Sequence, residues 1–143
     1  MISAPVNPEF EGLHILVVED NPINYMVIEQ YLLKMGCVIK WGDTGEKGFE
    51  LFKEHRFHCV FMDCMLPGMS GLECTEHIRH HEKNNQLTAT PVIALTADIR
   101  DSNRTACMEC GMNDFLGKPF KFNDLTHMLN LWVNPKNPKQ KSL

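Results

Sequence analysis

Five short strand-like runs, most of them rich in apolar residues and each followed by a helical pattern, constrain this chain more than any other feature of its sequence. Ile15 to Val18 is apolar at consecutive positions and ends at Glu19 and Asp20. A run without polar alternation belongs to a strand covered on both faces. Val38 to Trp41 reads as a second strand, Cys59 to Met62 as a third ending at Asp63, Val92 to Leu95 as a fourth ending at Thr96, and Asp114 to Leu116 as a fifth followed by Lys118 and Pro119. Helical patterns fill the intervals. Asn21 offers an N-cap, Pro22 suits the first helical position and Gly36 closes the first helix, for which Ile23, Val27, Tyr31 and Met35 are the expected apolar positions. A second helix runs from about Thr44 to Glu54 with Phe49 and Phe52 apolar. A third follows the loop of Pro67, Gly68 and Gly71 through about Glu82, and a fourth runs to about Cys110 and is closed by Gly111. The last carries Phe122, Leu125, Leu129 and Trp132.

Strands alternating with helices imply a doubly wound α/β fold with a mostly parallel sheet, because parallel strands need right-handed crossover connections. A chain of 143 residues accommodates one such domain. Residues 13–134 are assigned to it, residues 1–12 (Pro5, Asn7, Pro8, Gly12) to a linker, and residues 135–143 (Pro135, Pro138) to a flexible tail. Nothing approaches the roughly 18 apolar residues of a membrane span, and no basic region followed by an apolar run marks a secretory signal. The expectation is a cytoplasmic domain without membrane contact. A net charge of −4, with only sparse Lys136, Lys139 and Lys141 at the basic end, argues against direct nucleic-acid binding. The six cysteines read as free thiols in a chain that has apolar residues enough for a core. Cys107-x-x-Cys110 lies late in a helix, away from the position of a thioredoxin-type pair, and His77, His80 and His81 read as a solvated helix surface lacking a third metal ligand.

In open parallel sheets ligands bind beyond the carboxyl ends of the strands. Glu19, Asp20, Asp63, Thr96 and Lys118 all fall there. Singly, each acid is an ordinary loop or cap residue, Thr96 a cap and Lys118 a surface charge. Jointly, three carboxylates at one rim repel one another unless a cation intervenes, and a hard divalent ion such as Mg²⁺ answers that need. A metal, a carboxylate, a hydroxyl and an ammonium together suit phosphoryl transfer. Asp63 is assigned as the nucleophile and phosphoacceptor. Asp20 holds Mg²⁺, Glu19 helps directly or through water, and the Met65 backbone carbonyl completes the protein's share of the shell. Lys118 pairs with Asp63 and Thr96 donates to a phosphoryl oxygen.

The segments Ile15-Leu16-Val17-Val18-Glu19-Asp20-Asn21, Met62-Asp63-Cys64-Met65-Leu66-Pro67-Gly68-Met69-Ser70-Gly71, Ala94-Leu95-Thr96-Ala97 and Phe115-Leu116-Gly117-Lys118-Pro119-Phe120 carry a resemblance. From Leu13 to about Val133 the chain resembles the receiver domains of bacterial response regulators and hybrid histidine kinases. The resemblance implies a flavodoxin-like fold with strand order 2-1-3-4-5, Mg²⁺ as cofactor with Mn²⁺ as a substitute, and phosphoryl acceptance from a phosphohistidine. It implies self-catalysed transfer and slow autodephosphorylation in place of conventional enzyme turnover. It also implies a switch pair, Thr96 and Phe115, a cis Lys118–Pro119 bond, and a remote readout on the face of the fourth helix, fifth strand and fifth helix, open to a phosphorylation-dependent homodimer. Ser70 stands where many members carry Asp and suits a helix cap. Met65 and Asp98 flank the implied path of attacking water, with Met65 restricting it and Asp98 orienting it. Glu19-Asp20-Asn21-Pro22-Ile23-Asn24 resembles receivers of hybrid sensor kinases. That likeness implies a histidine kinase dimerisation domain or a histidine-phosphotransfer protein as partner, docking at the first helix and the loop after the fifth strand. A free-standing regulator is the alternative. A haloacid-dehalogenase-like phosphatase is disfavoured by Met65 where a second Asp is needed, and a degenerate binding module by retention of Asp63, Thr96 and Lys118.

Overall fold

The structure, a computed structural model, describes residues 10–133. Its elements are β1 (His14–Val18), α1 (Pro22–Lys34), β2 (Val38–Gly42), α2 (Gly45–Glu54), β3 (Cys59–Asp63), α3 (Gly71–Asn84), β4 (Val92–Thr96), α4 (Asp101–Glu109), β5 (Asp114–Gly117) and α5 (Phe122–Trp132). The strands form one parallel sheet in the order β2-β1-β3-β4-β5. The central strands β3 and β4 are buried at every position, which is why they read as unbroken apolar runs. Period-two alternation then divides their side chains between two cores. Ile15, Val17, Phe61 and Leu95 join Ile28, Leu32, Leu125 and Leu129 on one face, while Leu16, Val18, Val60 and Met62 join Phe52, Cys74, Ile78 and Cys107 on the other.

The register sets the rim. Val18 lies opposite Met62, so Glu19 follows one strand as Asp63 ends the next; Asp63 lies opposite Leu95, and Thr96 opposite Gly117. The winding direction reverses between β1 and β3, at the crevice where ligands collect in such sheets. Helix starts are fixed locally: Asn21 Oδ1 accepts from the N–H groups of Ile23 and Asn24, Thr44 Oγ1 from Lys47 and Ser70 Oγ from Glu73. Gly71 lets α3 start directly against the end of β3, since a Cβ there would collide with the Asp63 carbonyl oxygen.

Two expectations need correction. The buried face of α1 is Tyr25, Ile28 and Leu32, with Met35 at its C-cap, whereas Ile23 and Val27 are 71% and 41% exposed. Spacing every fourth residue drifts around a 3.6-residue helix, and α1 carries apolar residues on most of its circumference, so periodicity did not single out a face. Its orientation is set instead by Tyr25 stacking on Trp41 of β2, with centroids 4.2 Å apart, and by Tyr31 meeting the ring of Phe122 of α5 edge-on. Secondly, Phe10, assigned to the linker, is 1% exposed and lies in the same core as Ile15 and Leu32. Its carbonyl accepts from the Cys37 thiol, and Gly12 donates to the Gly36 carbonyl. An isolated aromatic among Pro, Asn and Gly carries no periodic signal. The remaining linker residues, 1–9, and the tail assigned to residues 135–143 lie outside the described residues.

Arg79 of α3 is a fastening that sequence reasoning missed. It donates to the carbonyls of Gly111 and Thr90, to Asn113 Oδ1 and to Glu82 Oε1, all at 2.7–2.8 Å. Glu82 is 4% exposed and accepts from the Thr90 N–H through its other oxygen. The network ties α3 to the residues that enter β4 and β5, Thr90 before the one and Gly111 and Asn113 before the other. Arg79→Ala leaves the buried Glu82 carboxylate unpaired, and the expected loss is about 3–5 kcal/mol in urea unfolding; a loss below about 1 kcal/mol would contradict this account.

Candidate functional site

Glu19, fully buried, places its two oxygens between different donors. Oε1 accepts from the Lys118 ammonium at 2.9 Å and Oε2 from the Asn21 N–H at 3.2 Å. Its carbonyl accepts from the Trp41 indole at 2.8 Å, which couples the end of β1 to β2. Asp63, 5% exposed, is held similarly: Oδ1 accepts from the Met65 N–H at 2.9 Å and Oδ2 from the Lys118 ammonium at 3.2 Å. Asp20 is exposed, yet one oxygen from each of Glu19, Asp20 and Asp63 lies within 4.8 Å of the others. Burial works to lower the affinity of Lys118 for its proton, but the hydrogen bond to Glu19 and the charges of Asp63 and Glu19 outweigh it and hold the ammonium above its ordinary range.

Three carboxylates against one ammonium leave two negative charges in a partly buried cleft, a deficit that one divalent cation neutralises. The donors are all oxygens, and the exposed Asp20 keeps one side of the cluster open to solvent. Such a set suits a hard ion that retains several waters, as Mg²⁺ does. Fixed positive charge, a carboxylate nucleophile and room for a metal are the parts that phosphoryl transfer requires.

Glu19, Asp20, Asp63 and Lys118 thus converge as expected, and the Lys118–Pro119 bond is cis. The direct Glu19–Lys118 pair went unforeseen, because partners 99 residues apart become neighbours only through the sheet register. Thr96 is buried at the end of β4, with its hydroxyl engaged by the following loop: it accepts from the Asp98 N–H at 2.9 Å and the Asn103 side-chain amide at 3.2 Å, and donates to the Asp98 carbonyl. Asn103, which also donates to that carbonyl at 2.7 Å, had no sequence signal. Phe115 is half-buried, with the Arg104 guanidinium 4.3 Å from its ring centre. Met65 is 78% exposed, at the residue-after-next from Asp63. Asp98 pairs both carboxylate oxygens with Arg100, whose side-chain and backbone hydrogen bonds hold its carboxyl down at about 2. The six cysteines are free thiols, and His77 and His81 pack against the Phe49 ring.

The chain is similar to known proteins in sequence and in fold. Residues 15–130 match the response regulator receiver domain family. The autoinducer 2 sensor kinase/phosphatase LuxQ of Vibrio vulnificus is 35% identical over 126 residues, covering 85% of this chain and 14% of its own length, so the chain spans about a seventh of that relative. Among solved structures, the receiver domain of a sensor histidine kinase from Pseudomonas aeruginosa, with magnesium coordinated in its active-site cleft, is 38% identical with a TM-score of 0.75, covering 83% of this chain and 95% of that one. The receiver domain of the Saccharomyces cerevisiae regulator Ssk1, solved with the histidine phosphotransfer protein Ypd1, is 30% identical with a TM-score of 0.82, covering 87% and 90%. With the family model matched over most of its length, the chain belongs to the response regulator receiver domain family.

Proposed function

We propose that this domain is the phosphoacceptor of a two-component or phosphorelay pathway, taking a phosphoryl group from a phosphohistidine onto Asp63. The Lys118 ammonium bridging Glu19 and Asp63 beside Asp20 carries this reading. One Asp63 oxygen forms the new P–O bond as the P–N bond to the donor imidazole breaks. Lys118 stands ready to neutralise charge on a phosphoryl oxygen, and the Met65 N–H holds the orientation of the carboxylate. Asp20, Asp63 and the Met65 backbone carbonyl would hold Mg²⁺, with Glu19, already occupied by Lys118 and Asn21, helping through water, and the ion would supply neutralising positive charge for the transfer. The reading extends to Thr96, whose hydroxyl would exchange Asn103 and Asp98 for the phosphoryl group while Phe115 leaves Arg104 and turns inward.

The hybrid-kinase context rests on likeness to sensor kinases of which this chain matches a small part. A histidine-phosphotransfer bundle or kinase dimerisation domain is the partner proposed, and the exposed Ile23, Met26 and Val27 of α1, following Asp20 in the chain, supply an apolar docking surface for helices. The α4-β5-α5 face, with exposed Met108, is the proposed surface of a phosphorylation-dependent homodimer. Among the described residues no helix is long and apolar enough to cross a membrane; a cytoplasmic location is part of the proposal.

Acetyl phosphate with Mg²⁺ is expected to add one acid-stable, base-labile phosphoryl group, absent in Asp63→Asn. Label on another residue, or continuous release of phosphate from monoesters, contradicts the reading. Met65→Ala is expected to hasten loss of the group by roughly threefold to tenfold, up to about 1.4 kcal/mol of barrier; an unchanged half-life removes Met65 from water control.

A further inference from the structure

Helix α4 is attached to the sheet through little of its surface. Of its nine residues only Cys107 is buried, and no side chain caps its N-terminus at Arg100. A short helix with one buried anchor belongs to the low-stability end of a domain and opens locally before the core does. That anchor meets another cysteine. Cys107 Sγ lies 3.4 Å from Cys64 Sγ, within thiol hydrogen-bond distance, and both are buried in the core that holds Met62, Cys74 and Met112. Cys64 directly follows Asp63, so the contact joins the tip of β3 to the last turn of α4. The nearer cysteine in sequence is turned away: Cys110 gives its thiol to the Cys107 carbonyl at 3.1 Å.

We infer that Cys64 and Cys107 are an oxidation site, forming a disulfide that fastens α4 to the end of β3 when a peroxide reaches the two sulfurs. Closing 3.4 Å to the roughly 2.05 Å of an S–S bond asks each sulfur to move less than about 1 Å. One sulfur, as its thiolate, attacks a peroxide oxygen; the O–O bond breaks, a sulfenic acid forms and the second oxygen leaves as water with the thiol's proton. The other sulfur then attacks the sulfenic sulfur, the S–S bond forms, the S–O bond breaks and a second water departs. Two thiols are oxidised and one hydrogen peroxide is reduced to two waters. Burial excludes the peroxide from the closed domain, so the reaction passes through the opening of α4. The bridge itself is independent of the phosphoacceptor reading; only its consequence, immobilising a helix of the proposed readout face, rests on it.

The folded protein is treated with hydrogen peroxide, the remaining thiols are alkylated after denaturation, and peptides are mapped without reduction. The expected product is an intramolecular Cys64–Cys107 bridge, retained in Cys110→Ser and lost in Cys64→Ala. Amide exchange of α4 in the oxidised wild type is expected to slow by at least about tenfold and to recover on reduction. A Cys107–Cys110 bridge, an intermolecular bridge, or alkylation of both Cys64 and Cys107 after peroxide overturns the proposal. Unchanged α4 exchange in the bridged protein overturns the fastening. The wild-type map decides the question even where Cys64→Ala fails to fold.

Discussion

The ammonium of Lys118, 2.9 Å from a buried carboxylate oxygen of Glu19 and 3.2 Å from one of Asp63, is the interaction on which the rest of the rim depends. A fully buried carboxylate without a partner is strongly destabilising, and Glu19 is fully buried. Lys118 reaches it because β5 lies two strands from β3 and the backbone N–H of Lys118 donates to the Thr96 carbonyl at 2.7 Å, extending the β4–β5 ladder one residue past its end. The pairing is incomplete by design of its charges: one cation cannot balance three carboxylates. The remaining negative charge is what makes the cleft receptive to a divalent ion.

The same rim couples chemistry to shape. Asp63 ends β3 and Thr96 ends β4, but the Thr96 hydroxyl spends its hydrogen bonds on Asp98 and Asn103 at the start of α4. Arg104, one residue further, covers the Phe115 ring of β5. A charge appearing at Asp63 therefore competes for a hydroxyl that also holds the β4–α4 loop, and α4 has only Cys107 buried to resist the change. At the amino ends of β4 and β5, the Arg79 network binds α3 to Thr90, Gly111 and Asn113, a firm frame beside a loosely held helix.

The strands and the acidic rim were legible because both depend on consecutive residues: β1, β3 and β4 are buried and read as apolar runs, and the first polar residue after each apolar run marks its end. The caps at Asn21 and Ser70 were legible for the same reason, each being a local hydrogen bond. What escaped depends on distant partners. The α1 face was decided by Trp41 and Phe122, not by its own periodicity; Phe10 found a core assembled from residues far along the chain; and the choice of Glu19 by Lys118 required the register of four strands. The orientation of the Thr96 hydroxyl and the capture of Asp98 by Arg100 are rotamer choices within one loop, for which residue type carries no signal.

The central claim is that Glu19, Asp20, Asp63 and Lys118 form one cleft whose uncompensated charge recruits a divalent cation. Calorimetric titration with Mg²⁺ tests it most directly. One ion per chain is expected, with affinity falling at least about tenfold, or 1.4 kcal/mol, in Asp20→Asn. Equal affinity in the two proteins, or no saturable binding by the wild type, would contradict it.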